Sequence, residues 1–386
     1  MASPEDSIRR VIDESVAARL SDQQSRMAIQ VPDPLPLARA DLLYLWDDYR
    51  TEMLDFAALN NPVGHRFGVA FNAVSDHQRY YSFTAPQGQH LLRWPVSYAR
   101  ALSESFSGSE DPPRQVLYAE GEREAVRMAV DLACRRTSRP HLAVIGTGHD
   151  WLGQTWSYGW DFDPVDALWE KLGAVLISPV DGENQVIRNG VVRRWMLAGR
   201  EKGVPVIYDE SRTGFGRLGV LWGQERSGLV ADLTVLGGPV GGGLPLGAVI
   251  AAPEYFTGLW PSDVSPQAGH PWACAAGQSI LEAVHPGVLG HVNDAAQALT
   301  TALDELVAQF PSRLSGHHGA GLLRGLRFGS LADAARFPVS ARSHGLHLAP
   351  AVGPTVPLAP VLISSVHEVT RGVDLMADLM MSWEDG

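Results

Sequence analysis

A chain of 386 residues with 31 basic and 43 acidic side chains has a formal charge of −12, which argues against nucleic acid or an anionic membrane as a general partner. Hydrophobic residues at 45% and charged residues at 19% suit a globular enzyme long enough to bury one large domain and a smaller one. There is no run of about eighteen apolar residues, no apolar signal core behind Met1, and only two cysteines, Cys134 and Cys274, without metal-type spacing, so a reduced cytoplasmic setting is expected.

Ile8, Val11, Ile12, Val16 and Leu20 recur at helical spacing and predict an amphipathic helix over about 5–30. Short apolar runs at 42–46 and 53–56 flank Asp47-Asp48-Tyr49-Arg50, the signature of a hairpin. Asn60-Asn-Pro-Val-Gly-His65 reads as a turn, and Tyr80-Tyr81-Ser-Phe83 as either a pocket wall or core aromatics. Strands are then predicted at 115–120, 141–145, 174–179 and 204–209, with helices at 122–136 and 191–202 between them. This alternation predicts an α/β fold with a mainly parallel sheet covered on both faces. Two apolar runs inside 232–249 read as short buried strands joined by a glycine-rich loop. Helices at 270–283, 291–310 and 366–383 and a strand at 321–328 complete the pattern, without an internal repeat.

Two motifs name a family. Val206-Ile-Tyr-Asp209-Glu210-Ser-Arg-Thr-Gly-Phe-Gly-Arg217 and Leu236-Gly-Gly-Pro-Val-Gly-Gly-Gly-Leu-Pro-Leu-Gly-Ala-Val249 resemble the class III pyridoxal-phosphate (PLP) aminotransferases, as do shorter patterns over about 35–380. The family pattern there is Asp-Glu-x-x-Thr-Gly-Phe-Gly-Arg followed by Lys-x-x-Gly-Gly-Gly-x-Pro-x-Gly. The resemblance implies a fold type I aminotransferase-like chain: residues 1–55 packing on the small domain, a large domain over 56–285, and an α+β small domain over 286–386. It also implies a homodimer, since this fold builds its sites at a two-fold interface. At the position of the family's Schiff-base lysine stands Gly238, and the chain has only two lysines, Lys171 and Lys202. Both precede predicted strands, whereas ligands of open α/β sheets sit beyond the carboxyl ends.

Other matching positions depart as well. Gly121-Glu122 stands where the family holds the cofactor phosphate with a Ser-Gly pair, and Gly148-His149-Asp150 where an aromatic ring stacks on the pyridine. Pro266 matches the partner subunit's phosphate-binding Thr, Ser178 an acidic residue, and Pro357 an Arg. Only Asp209, the partner of the pyridinium nitrogen, is retained; an Asp at a strand end also caps turns or pairs with an Arg. The expectation is therefore a dismantled site with no cofactor, or with PLP or its pyridoxamine form (PMP) held noncovalently.

Acid–base chemistry in that crevice is assigned to His149, Asp209, Glu122 and Arg212, with Tyr81, Asp150, Ser178, His65 and His270 as pocket residues and Glu210 nearby. The bland alternatives are a satisfied histidine at 149 and a favourable first-turn acid at 122. No spacing recommends a metal. Three readings remain open. The first is a PLP-independent enzyme acting on a small amine- or carboxylate-bearing molecule. The second is a non-catalytic pseudoenzyme pairing with an active aminotransferase or with itself. The third is a lysine-free enzyme with noncovalent PLP or PMP and His149 as base.

Overall fold

The computed structural model describes residues 34–78, 92–106, 113–152, 155–160, 162 and 169–383. The expected helix over 5–30 and the Tyr81 wall lie outside these residues. The described chain begins with three antiparallel strands, β1 (Leu37–Asp41), β2 (Tyr44–Asp47) and β3 (Glu52–Asp55). The predicted turn between β2 and β3 closes on one side chain: Asp47 Oδ1 accepts from the N–H groups of Tyr49 at 2.9 Å and Thr51 at 2.8 Å.

Two helices follow, α1 (Gly68–Gln78) and α2 (Arg93–Phe106). The α/β alternation then runs through β4 (Gln115–Ala119), α3 (Glu122–Thr137), β5 (His141–Ile145), β6 (Thr155–Tyr158), β7 (Leu172–Ile177), α4 (Asn189–Lys202), β8 (Val206–Asp209), β9 (Leu233–Leu236) and β10 (Gly247–Ala251). These strands form one seven-stranded sheet in the order β4-β10-β9-β8-β7-β5-β6. Neighbours are parallel from β6 to β9, whereas β10 is antiparallel to both β9 and β4. β4 therefore runs in the direction of β9, and the carboxyl ends of β4, β5, β7, β8 and β9 share one edge.

Strands β7, β8, β9 and β10 are buried at every position. Covered on both faces, they read as continuous apolar runs rather than as alternation. On one face α3 packs Ala125, Val126, Ala129 and Leu132 against Val144, Leu176, Ile207 and Val249. On the other α4 packs Val191, Val192, Trp195 and Met196 against Ala143, Val175, Ile177 and Tyr208. Helix periodicity and strand burial thus specify the same layers.

The remainder comprises α5 (Pro271–Ala283), α6 (Leu289–Gln309), β11 (Leu314–Ala320), β12 (Leu323–Phe328), α7 (Leu331–Ala341), β13 (Leu346–His347), β14 (Thr355–Leu358) and α8 (Val366–Ser382). β11, β12 and β14 make a three-stranded antiparallel sheet. Short β13 instead pairs in parallel with β3, setting His347 opposite Asp55. Among the described residues no helix is long and apolar enough to cross a membrane.

Candidate active site

Asp209 ends β8 and is 7% exposed. Its Oδ1 accepts the Ser211 N–H at 2.9 Å, and its Oδ2 lies 3.3 Å from His149 Nε2 in the loop beyond β5. His149 is itself 6% exposed, and its Nδ1 has no partner among the described residues. The same holds for two buried atoms beside it in the chain segment after Asp209, Ser211 Oγ and Arg212 Nε. Buried polar atoms are nearly always hydrogen-bonded, so three orphans in the loops beyond β5 and β8 mark unmet capacity for a ligand.

Glu122 opens α3 beyond β4 and faces the same group. Partial burial and then the charge of Asp209 push its carboxyl pKa upward, against the pull of His149, Arg212 and Arg123. Its side chain lies over Gly237, where an added Cβ would sit 2.6 Å from Glu122 Cβ and 2.8 Å from Ser211 Oγ. Arg212 is held by the loop after β7: it donates Nη1–H to the Asp181 carbonyl and Nη2–H to Asn184 Oδ1, the latter at 2.6 Å. Burial lowers its pKa, while Asp181, Glu122 and Asp209 act to raise it. His149, Asp209, Glu122 and Arg212 are thus brought together beyond the carboxyl ends of three strands, where an open α/β sheet holds its ligands.

The other sequence-assigned residues are disposed differently. The Ser178 hydroxyl is spent on the Thr147 carbonyl at 2.9 Å, tying the ends of β5 and β7 together. Asp150 begins a short 3-10 turn, Asp150–Leu152. His270 caps α5, its Nδ1 accepting the Trp272 N–H at 3.2 Å, and burial lowers its pKa. His65 joins a separate cluster around Asp55. Tyr81 lies outside the described residues.

Glu210 also turns away from the crevice, because the strand ends at Asp209 and alternate side chains point apart. It accepts from Thr213 Oγ1 and from the N–H groups of Gly223 and Gln224, the latter two at 2.9 Å. Burial lifts its pKa to about 7 although all three hydrogen bonds favour the ionised form. Its task is to hold the loop after β8.

Gly238 sits in a 3-10 turn, Gly238–Gly241, just beyond β9. Its φ of +53° is left-handed, and an added Cβ would meet Asn60 Oδ1 and the Ser211 carbonyl oxygen, each at 2.9 Å. The turn is pinned from behind. Tyr98 donates its hydroxyl to the Val240 carbonyl at 2.8 Å, and on α5 an added Cβ at Gly277 would lie 2.0 Å from that same oxygen. Both lysines lie at the opposite sheet edge: Lys171 just before β7, and Lys202 at the end of α4 leading into β8. Asn60 and Ser211 were missed from the sequence. Ser211 fills a variable place in the Asp-Glu-x-x motif, and Asn60 meets Gly238 from 178 residues away, counting 238 minus 60.

Away from this crevice, Asp55 takes hydrogen bonds from His347 Nδ1 at 2.9 Å, His65 Nε2 at 3.0 Å and the Ala57 N–H at 2.9 Å. Burial would raise its pKa, but the bonds from His347, His65 and Ala57 outweigh that and lower it from 3.8 to about 2. A depressed folded-state pKa adds stability that is complete above the unfolded value of 3.8 and lost as pH falls towards 2. The loss is expected to be about 2 kcal/mol. Urea unfolding of the protein and of Asp55→Asn between pH 5 and pH 2 checks it: the variant should start less stable and lose less on acidification. Parallel curves would refute it.

A family model described as "Aminotransferase class-III" matches residues 164–380, more than half of the chain. The chain belongs to the class III aminotransferase family. Acetylornithine aminotransferase of Thermosynechococcus vestitus is 28% identical over 89% of this chain and 92% of its own length. A probable mitochondrial acetylornithine aminotransferase of Schizosaccharomyces pombe is 32% identical over 54% of this chain and 48% of its own. Among solved structures, acetylornithine aminotransferase from Elizabethkingia anophelis superposes with a TM-score of 0.83 at 19% identity, covering 96% of this chain and 99% of its own. Plasmodium falciparum ornithine delta-aminotransferase does so with a TM-score of 0.82 at 20% identity, covering 95% and 98%. The fold is that of the fold type I aminotransferases.

These comparisons correct three expectations. A PLP-independent enzyme, a pseudoenzyme and a site without cofactor were inferred from single positions. The family match, and agreement over nine tenths of the chain with relatives named as aminotransferases, speak against all three. In this class III chain the residues fit the cofactor's ring: Asp209 is a fixed, buried carboxylate suited to a protonated pyridine nitrogen, and the orphaned Ser211 Oγ and Arg212 Nε are available donors. They do not fit its covalent attachment, because neither of the two lysines, Lys171 and Lys202, reaches the turn at Gly238. Among the described residues no cluster of His, Cys, Asp or Glu is arranged to hold a metal ion.

Proposed function

We propose that this protein transfers amino groups between small amino- and keto-bearing substrates, with pyridoxal phosphate held noncovalently at the carboxyl edge of the sheet. The observation that carries the reading is the buried Asp209–His149 pair, with Oδ2 and Nε2 3.3 Å apart, directly beside unpartnered Ser211 Oγ and Arg212 Nε. Pyridoxal phosphate, when bound, supplies a carbonyl that accepts the amino group and a ring that takes up the electron pair released at carbon.

The protein's part is to hold and to move protons. Asp209 keeps a positive ring N–H in place, and His149 donates Nε2–H to Asp209, which leaves the Nδ1 lone pair to accept a proton. Arg212 Nε is proposed as the donor to an anionic group, and Glu122, with its raised pKa, as a proton donor at the crevice edge. A homodimer is the proposed assembly.

N-acetylornithine, the substrate in the relatives' names, with a 2-keto acid acceptor is the first pair to test. Pyridoxal phosphate should induce visible circular dichroism in the purified protein, borohydride should leave no cofactor bonded to the chain by mass, and 15N should pass from donor to acceptor. Absence of both the induced signal and the exchange overturns the reading.

A further inference from the structure

A cavity of about 600 Å³ lies between the N-terminal strands, α1 and the Gly242–Leu244 loop. Its walls are mostly apolar, with Val63, Phe67, Phe71, Leu244 and Ile280 among them. Polar side chains interrupt them: Asp55 with His65 and His347, and Asn60, Asn61 and Arg66 besides. A concave apolar site of this size with a few fixed polar groups is the usual form of a small-molecule pocket.

The hydrogen bonds show which nitrogen of each ring faces Asp55. Asp55 is ionised, and both its oxygens accept: Oδ1 from His347 Nδ1 and the Ala57 N–H, Oδ2 from His65 Nε2. His65 Nδ1 faces the Asn61 side-chain amide at 3.2 Å, so it accepts there, and Nε2 carries the proton given to Asp55. Its capacity is used. His347 differs: Nδ1–H goes to Asp55, Nε2 has no hydrogen bond among the described residues, and the ring is 24% exposed on the cavity wall. In the neutral ring, a carboxylate that fixes the Nδ1–H form of histidine leaves a directed lone pair at Nε2.

The charge around Asp55 is already balanced. Buried Arg217 lies close enough to interact with it, while donating to the carbonyls of Ala58, Leu59 and Pro360. At the rim, Arg66 is 3.9 Å from Asp41. The open position in the cluster, at His347 Nε2, therefore calls for a hydrogen-bond donor. The two imidazoles point at one carboxylate and not at a common centre, which rules them out as a metal pair.

We propose that this cavity binds a small molecule with an apolar body and a single hydroxyl or ammonium group, which donates to His347 Nε2. The cavity adjoins the crevice through Asn60, which lines the cavity and also abuts Gly238.

Benzyl alcohol, benzylamine and toluene are matched probes for calorimetry and for 15N spectra of the histidines. Benzyl alcohol or benzylamine should bind about tenfold or more tightly than toluene and move the His347 Nε2 resonance while leaving that of His65 Nε2 in place. Whichever of the two binds identifies the donor. His347→Phe should reduce that probe to the affinity of toluene. Phe71→Asp, at a wall residue 66% exposed and outside the polar cluster, should weaken all three probes without unfolding the protein. Equal affinity for toluene, an unmoved His347 signal, or no binding by any probe overturns the proposal.

Discussion

Gly238→Lys is expected to yield a less stable protein that still forms no covalent bond to pyridoxal phosphate. The left-handed φ of +53° costs a residue with a side chain roughly 1–2 kcal/mol. The Cβ contacts at 2.9 Å with Asn60 Oδ1 and the Ser211 carbonyl add about 1–3 kcal/mol of overpacking. The turn cannot easily yield, because Tyr98 and Gly277 hold the Val240 carbonyl from the other side. Denaturant unfolding reads the first effect, and the mass after incubation with pyridoxal phosphate and borohydride reads the second. Adding Asn60→Ala removes one contact and should recover part of the stability, since the Ser211 carbonyl and the backbone angle remain. A stoichiometric adduct at position 238 in the single variant, at unchanged stability, would show that the turn merely lacks an amine.

Asp209→Ala is expected to lower amino-transfer activity by about a hundredfold or more, the scale on which fixed electrostatic partners act in water-poor sites. It strips His149 Nε2 of its acceptor and the Ser211 N–H of its cap, costing about 1–3 kcal/mol for a buried group left unpaired. Asp209→Asn separates the two roles. The amide oxygen can still cap Ser211, so stability should largely return, while activity stays low because the negative charge is gone. kcat/KM for 15N exchange, the apparent affinity for pyridoxal phosphate and the unfolding midpoint together decide it. Full activity in Asp209→Asn would remove this carboxylate from the site.

Legibility in the sequence followed the range of the interactions involved. Strand β5 matches its predicted bounds, and α3 runs one residue past them, because helical periodicity and an all-apolar strand are local signals. α2 was not anticipated although Tyr98, Leu102 and Phe106 recur at a spacing of four and are buried. β6, β11, β13 and β14 were also not anticipated. Three of them have four residues or fewer, and all lie outside the apolar strands of the sheet interior. The pairing of His347 with Asp55 spans 292 residues and leaves no trace in either local pattern.

The sequence by itself determined the family, the layered α/β fold and the absence of an amine at position 238, since each rests on residue identity or on periodicity within one segment. Only the tertiary structure decided which of the assigned side chains meet. It joined His149, Asp209, Glu122 and Arg212, committed Ser178 and Glu210 to loop contacts, and set His65 and His270 elsewhere. The physical reason is that a polar side chain at a strand end turns toward whichever donor or acceptor is left unpaired nearby, and that partner comes from distant parts of the chain.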